Sequence, residues 1–220
     1  MSNIKYIVWD WNGTLVNDGW LFVELINQVL KKRNLKEITL DIYKEEFCFP
    51  LEKYYEKIGF DFNLEPYEIP SMEFVDLYNK NKYRPHLYSG AISLLKKMCD
   101  LGIKNYLLSA QNEASLKDLV KFYKIGPYFE KIRGTNNFHA RGKELVAKEM
   151  LKEMSCAESV LFVGDTNMDM DIAKMYASKF IAIAFGHQSG NRFKKSKKIK
   201  LVESFKDLDS WLLKKCSGRL

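Results

Sequence analysis

The sequence predicts an α/β fold, a mostly parallel sheet covered by helices on both faces, with an all-helical insertion near the N-terminus. Three observations carry this. Short apolar runs alternate with helical patterns along most of the chain. The runs are apolar at consecutive positions, the pattern of strands buried on both sides. From residue 19 to about residue 83 the alternation stops, and only helical patterns remain.

The elements follow in order. Residues 4–9 read as a buried strand. In the insertion, Leu21, Phe22, Leu25, Ile26, Val29 and Leu30 recur at helical spacing and form one apolar stripe. A second helix starts after Pro50 and carries Tyr54 and Tyr55, with Ile58 and Phe60 at its exit. A third starts after Pro70 and carries Phe74, Leu77 and Tyr78. Most of these rings are expected to form the insertion's own small core, leaving a few to face a pocket. Beyond it, residues 90–101 form an amphipathic helix through Leu94, Leu95 and Met98, stopped by Gly102. A strand at 105–108 leads to a helix at 113–123, with Asn112 as its cap. A short strand at 131–133, a helix at 143–154 and a strongly buried strand at 160–163 come next. A helix at 169–176, a strand at 180–184, an edge strand at 199–202 and a last helix through Leu213 complete the chain. The expected division is a core of residues 1–17 and 84–220 and an inserted domain of residues 18–83.

Composition narrows the function. The chain has 220 residues, 46% of them apolar, enough for one sizeable core carrying a smaller insertion. No apolar run approaches the roughly 20 residues that span a bilayer. The N-terminus enters a strand pattern directly and lacks the sections of a signal peptide. A cytoplasmic protein with no membrane partner is expected. Cys48, Cys99, Cys156 and Cys216 are widely spaced and form no CxxC pair, so zinc and dithiol chemistry are not indicated. Free thiols are expected, buried where they fall on apolar faces. The net charge of +7 is concentrated in part at Lys194, Lys195, Lys197, Lys198 and Lys200. That run has no interleaved aromatics, so nucleic acid is not the expected partner. Positive charge also attracts small anions.

Ligand sites in open α/β sheets lie at the carboxyl ends of the strands. There the sequence places Asp10-Trp11-Asn12-Gly13-Thr14-Leu15, then Ser109 and Ala110, then Lys143 at a helix start, then Gly164-Asp165-Thr166-Asn167-Met168-Asp169. Each piece alone is weak, but the ordered set is chemically complementary. Phosphoryl transfer needs a nucleophile, neutralisation of the phosphoryl oxygens, and often a metal. Asp10 can attack in line. Gly13 permits a tight turn whose N–H groups can face a phosphate. Thr14 or Ser109 can donate hydroxyl hydrogen bonds. Lys143 can neutralise phosphate charge and keep Asp10 ionised. Asp165 and Asp169 add oxygen ligands suited to Mg²⁺.

With these motifs in this order, the chain resembles the haloacid dehalogenase superfamily of phosphohydrolases along essentially its whole length. Residues 10–15 are similar to the first motif, DxDGT. Ser109 and Lys143 are similar to the second and third, and residues 164–169 to the fourth, GDxxxD. The resemblance is to the phosphoglycolate-phosphatase-like branch, whose helical cap lies between the first two motifs. It implies a Rossmann-like core with an all-helical cap, and Mg²⁺-dependent hydrolysis of a small phosphorylated metabolite; a monomer or homodimer is expected, the sequence not distinguishing the two. It implies Asp10 as nucleophile and metal ligand, with the main-chain carbonyl of Asn12 and Asp165 as further ligands. Asp169 would act through a water on the metal or by holding Lys143.

One position departs from the pattern. The family carries an acid where this chain has Asn12, and that acid protonates the leaving oxygen and later activates water. An amide does neither. The expectations that follow are a slowed phosphatase, a protein that binds phosphate ligands in a regulatory role, or a non-phosphatase hydrolase of the same scaffold. Asp18, His139, His187 and Asp171 are candidate replacement acid/bases, although His187 is expected to be a solvated loop residue and His86 and His139 structural or surface residues. On this reading Asn12→Asp should raise turnover. Lys36, Lys53, Tyr54 and Arg84 could face an anionic substrate, with surface exposure the expected state of each.

Overall fold

The computed structural model describes residues 4–136, 142–152, 154, 159–194 and 199–216. A six-stranded parallel sheet has the order β5-β4-β1-β6-β7-β8. Its strands are β1 (Tyr6–Trp9), β4 (Lys104–Asn112), β5 (Lys131–Thr135), β6 (Val160–Gly164), β7 (Lys179–Ile183) and β8 (Lys200–Val202). The central strands β1 and β6 are the most apolar, as burial on both faces requires. Helices α5 (Ala91–Asp100), α6 (Glu113–Phe122), α7 (Lys143–Leu151), α8 (Asn167–Met175) and α9 (Phe205–Cys216) alternate with them. Two apolar clusters divide the sheet's faces: Ile7, Trp9, Leu107 and Leu161 lie in one, Val8, Tyr106, Leu108 and Phe162 in the other. This is the α/β architecture expected from the alternation of patterns.

Between β1 and β4 the chain makes a two-residue strand, β2 (Val16–Asn17), then helices α1 (Gly19–Lys31), α2 (Leu40–Glu46), α3 (Leu51–Lys57) and α4 (Glu68–Asn81), then β3 (His86–Leu87). Strands β2 and β3 pair antiparallel, so the insertion leaves and rejoins the core side by side. Two-residue strands carry no periodicity, and the sequence gives no sign of them. Helix α2 is likewise absent from the sequence pattern; Thr39 caps it by accepting from the Ile42 N–H. Helix α4 begins before Pro70 rather than after it. The proline sits in the first turn, where N–H groups have no intrahelical partner to lose. The insertion's rings do form a core of their own, with Tyr43, Phe47, Tyr54, Tyr55, Phe60 and Tyr67 packed against Ile26, Val29 and Leu30.

Arg33 fastens this block. Its guanidinium grips Glu65 with two hydrogen bonds of 2.5 and 3.0 Å and reaches Glu73 on α4 at 3.2 Å. The Arg33 bond holds the Glu73 carboxyl below its ordinary pKa, against the opposing effect of burial. A carboxylate with a lowered folded pKa contributes stability above the unfolded pKa and loses it as pH falls through the folded one. Arg33→Met is therefore expected to destabilise the protein by about 1 kcal/mol at neutral pH. The deficit should shrink below the ordinary glutamate range, as read by urea unfolding at both pH values.

Other expectations are adjusted by the structure. Cys48 is half-buried and Cys99 exposed, so neither described thiol is buried as expected; Cys156 and the side chain of Cys216 lie outside the described residues. Lys195, Lys197 and Lys198 of the basic run, and His139, also lie outside them. Among the described residues, no helix is long and apolar enough to cross a membrane.

Candidate active site

Asp10 follows β1, Ser109 lies near the end of β4, and Asp165 follows β6. The three central strands thus deliver three polar residues to one edge of the sheet. Lys143 opens α7 and reaches the same point. Its Nζ lies 2.5 Å from Asp10 Oδ1 and 2.5 Å from Asp169 Oδ1, and all three side chains are buried. Burial disfavours the Lys143 charge, but the Asp10 and Asp169 carboxylates outweigh it and raise its pKa. Lys143 is a fixed cation. The Asp10 carboxyl is raised well above the usual carboxylate range, first by burial and then by repulsion from Asp169 and Asp165, with Lys143 opposing.

Asp169 has two tasks. Its second oxygen accepts from the Thr166 N–H at 3.1 Å and the Thr166 hydroxyl at 2.6 Å, closing a capping box that starts α8 at Asn167. That box is why α8 begins earlier than the apolar spacing suggests. The cap fixes Asp169, and Asp169 in turn fixes Lys143.

Asp165 is held on both oxygens. The Thr14 hydroxyl donates to Oδ1 at 2.8 Å, and the His187 N–H donates to Oδ2 at 2.5 Å. Gly13 takes a φ of +72°, and a Cβ there would collide with Asp165 and with the His187 ring. A Cβ at Gly186 would also strike Asp165. These contacts correct two expectations. The Thr14 hydroxyl is directed at Asp165, not at a ligand. The Gly13 N–H donates to Asp18 Oδ1 at 3.0 Å and to the Val16 carbonyl. Ser109, whose hydroxyl accepts from the Gln111 N–H at 3.1 Å, and Ala110 do line the cavity above Asp10.

Asn12 is the centre of a network that sequence reasoning missed. Its side-chain amide donates to Asp18 Oδ2 at 2.6 Å and to the Tyr78 hydroxyl at 3.2 Å. Asp18 stands at the N-cap position of α1 but makes no capping bond with its side chain. Its carboxylate serves Asn12, Gly13 and His187 instead. His187 Nε2 lies 2.9 Å from Asp18 Oδ1, and Nδ1 lies 2.5 Å from the Tyr43 hydroxyl. The His187 ring packs edge-on to Phe22 at 4.6 Å between centroids. His187 is thus a fully engaged buried residue, 2% exposed, and not the solvated loop residue expected. Burial opposes its positive charge, but the carboxylates of Asp18, Asp165 and Asp10 together outweigh burial, so its pKa is raised. Asp171 is exposed and pairs with Lys174. Gln188 was also missed: its carbonyl accepts from the Asn167 N–H at 2.8 Å and its amide donates to the Phe47 carbonyl at 3.0 Å, tying the start of α8 to the insertion. The only hint in the sequence was the Gly-His-Gln step just past β7.

Of the expected anion-facing residues, Tyr54 lines the cavity and is buried. Arg84 is turned to Glu24 and to the Trp20 ring, and Lys36 and Lys53 are exposed. Asp10, Asp165 and Asp169 each place a carboxylate oxygen within 4.8 Å of the other two. These are buried hard oxygen donors with Lys143 as the lysine among them. The donor set suits a divalent cation such as Mg²⁺, which would offset the remaining negative charge.

The model of the haloacid dehalogenase-like hydrolase family matches residues 7–183. The phosphoglycolate phosphatase of Pseudomonas fluorescens Pf-5 is 24% identical over 195 residues, covering 84% of this chain and 71% of that protein. Phosphoglycolate phosphatase 1 of Pseudomonas aeruginosa is 23% identical over 137 residues, covering 61% of this chain and 50% of its own length. Among solved structures, a haloacid dehalogenase-like family hydrolase from Streptococcus pneumoniae superposes with a TM-score of 0.82 at 19% identity, over 96% of this chain and 100% of that one. A chain from Bacteroides fragilis described as a haloacid dehalogenase-like hydrolase gives 0.81 at 17% identity, over 93% and 99%.

Proposed function

The chain belongs to the haloacid dehalogenase-like hydrolase family, in its phosphoglycolate-phosphatase-like branch, and from that premise we propose that it is a Mg²⁺-dependent phosphatase acting through an aspartyl-phosphate on Asp10. The observation that carries this reading is the buried Lys143 bridging Asp10 and Asp169 at 2.5 Å each, at the carboxyl edge of the sheet. Residues 18–83 act as a cap over this edge, and residues 1–17 and 84–220 form the core. The substrate is a small phosphorylated metabolite, and the protein works in the cytoplasm as a monomer or homodimer.

The steps follow from the residues. An Asp10 oxygen attacks phosphorus, and the bond from phosphorus to the leaving oxygen breaks. Lys143 and the N–H groups around Ser109 and Ala110 face the phosphoryl oxygens. The leaving oxygen takes a proton from water, because Asn12 has none to give. A water oxygen then attacks phosphorus, the bond to Asp10 breaks, and phosphate leaves with the carboxylate restored. Losing a general acid/base costs typically about 10²–10⁴-fold, and here the loss falls on both steps. Asp10, Asp165 and the main-chain carbonyl of Asn12 would hold Mg²⁺, with Asp169 supporting from behind Lys143. The ion would supply charge neutralisation between two anions that must meet.

Asn12 also favours a second reading, a phosphate-binding protein without turnover. One experiment separates the two. Chelation is expected to abolish hydrolysis of a phosphate monoester panel, and added Mg²⁺ to restore it. Hydrolysis indifferent to chelation would contradict the metal role of Asp165; phosphate binding with no hydrolysis under any metal would favour the second reading.

A further inference from the structure

The cavity above Asp10 is about 160 Å³ and is walled by rings. Phe22, Phe47, Phe49, Tyr54, Tyr55 and Phe74 line it from the insertion, while Asp10, Ser109 and Lys143 lie at the sheet edge. Among the described lining residues, Lys143 is the sole lysine or arginine, and Asp10 and Asp169 already hold it on two sides. His187 also lines the cavity, with Asp18 and Tyr43 on its two ring nitrogens.

This lining discriminates between substrates. A second anionic group, such as the carboxylate of phosphoglycolate, would lose its water against aromatic walls without gaining a free cation. An apolar ring would gain contact with ring faces and edges. The volume limits the ring to a single small one, since an apolar cavity of about 150 Å³ holds no more than one benzene molecule and this cavity also serves the phosphate end.

We infer that the pocket takes the phosphate monoester of a compact alcohol bearing one aromatic or similarly flat apolar ring. The inference rests on the phosphatase reading for its phosphate end. It departs from phosphoglycolate, the substrate named for the relatives.

The test compares kcat/KM for benzyl phosphate, ethyl phosphate and 2-phosphoglycolate in the presence of Mg²⁺. All three release alkoxides of similar basicity, so the preference reports the pocket and not the leaving group. Benzyl phosphate is expected to exceed each of the others by about tenfold or more, the scale of discrimination by apolar pockets. Equal or better turnover of 2-phosphoglycolate would overturn the inference. A second arm measures binding by calorimetry with the unreactive benzylphosphonate and 3-phosphonopropionate. Tighter benzylphosphonate binding with no ester hydrolysed would sustain the ligand class and overturn the phosphatase reading. Tighter 3-phosphonopropionate binding, or binding of neither, would overturn the ligand class.

Discussion

Asp10→Asn is expected to lower turnover of any phosphate monoester by roughly 10⁶-fold, the size of loss seen when a covalent nucleophile is removed. The side chain keeps its shape and can still accept a hydrogen bond from Lys143, so the loss would report chemistry, not collapse. Stability should move the other way. The folded Asp10 carboxyl titrates well above the ordinary range, chiefly because it is buried. A carboxyl with a raised folded pKa takes stability away as pH rises from the unfolded pKa to the folded one. At neutral pH and without metal, the asparagine variant should therefore unfold at an equal or higher urea concentration than the parent. Activity retained in Asp10→Asn would remove the nucleophile assignment.

The second large effect concerns Asn12. A simple reading of the sequence expects Asn12→Asp to raise turnover. The structure changes that expectation, because the Asn12 amide lies 2.6 Å from the Asp18 carboxylate. An aspartate at position 12 would share one proton with that carboxylate, because two buried carboxylates at such range do not both ionise, and the shared proton would be held by Asp18 and not given to the leaving oxygen. Asn12→Asp alone should gain nothing. Combining it with Asp18→Asn reverses the direction of the hydrogen bond. The amide at 18 would donate to the carboxyl at 12, while its carbonyl still accepts from Gly13 N–H and His187. The double variant should raise kcat by up to about 10²–10⁴-fold, most for poor leaving groups. A single Asn12→Asp variant faster than the double one, measured on the same ester, would show that Asp18 does not control this position.

These expectations mark where the sequence was legible. An apolar run ending in Asp10, and Asp165 and Asp169 around a helix start, are local patterns. Local patterns survive folding, because a strand's carboxyl end and a helix cap are set within a few residues. Lys143 could be placed because it opens a helix in the correct order. What could not be read is the arrangement of side chains joined only by packing. Asp18 and His187 are 169 positions apart, and nothing local marks their contact. Thr14 looked like a phosphate donor by its neighbourhood, yet the path of Asp165 claims its hydroxyl. Helix α2 was missed because its one inward ring, Tyr43, makes no stripe. Tyr43 and Tyr78 touch the site only because the inserted block folds back over the sheet edge.

In the proposed mechanism Asp10 receives a phosphoryl group and releases it slowly because Asn12 cannot activate water. The direct measurement is rapid mixing of enzyme, Mg²⁺ and the phosphate ester of an acidic alcohol, which leaves without a proton so that the missing acid/base burdens only the second step, followed by acid quench and peptide mass spectrometry alongside the two product time courses. The predicted result is a burst of alcohol ahead of phosphate, with the phosphoryl group on the peptide containing Asp10. Equal release of alcohol and phosphate from the first turnover, with Asp10 unmodified, would contradict it.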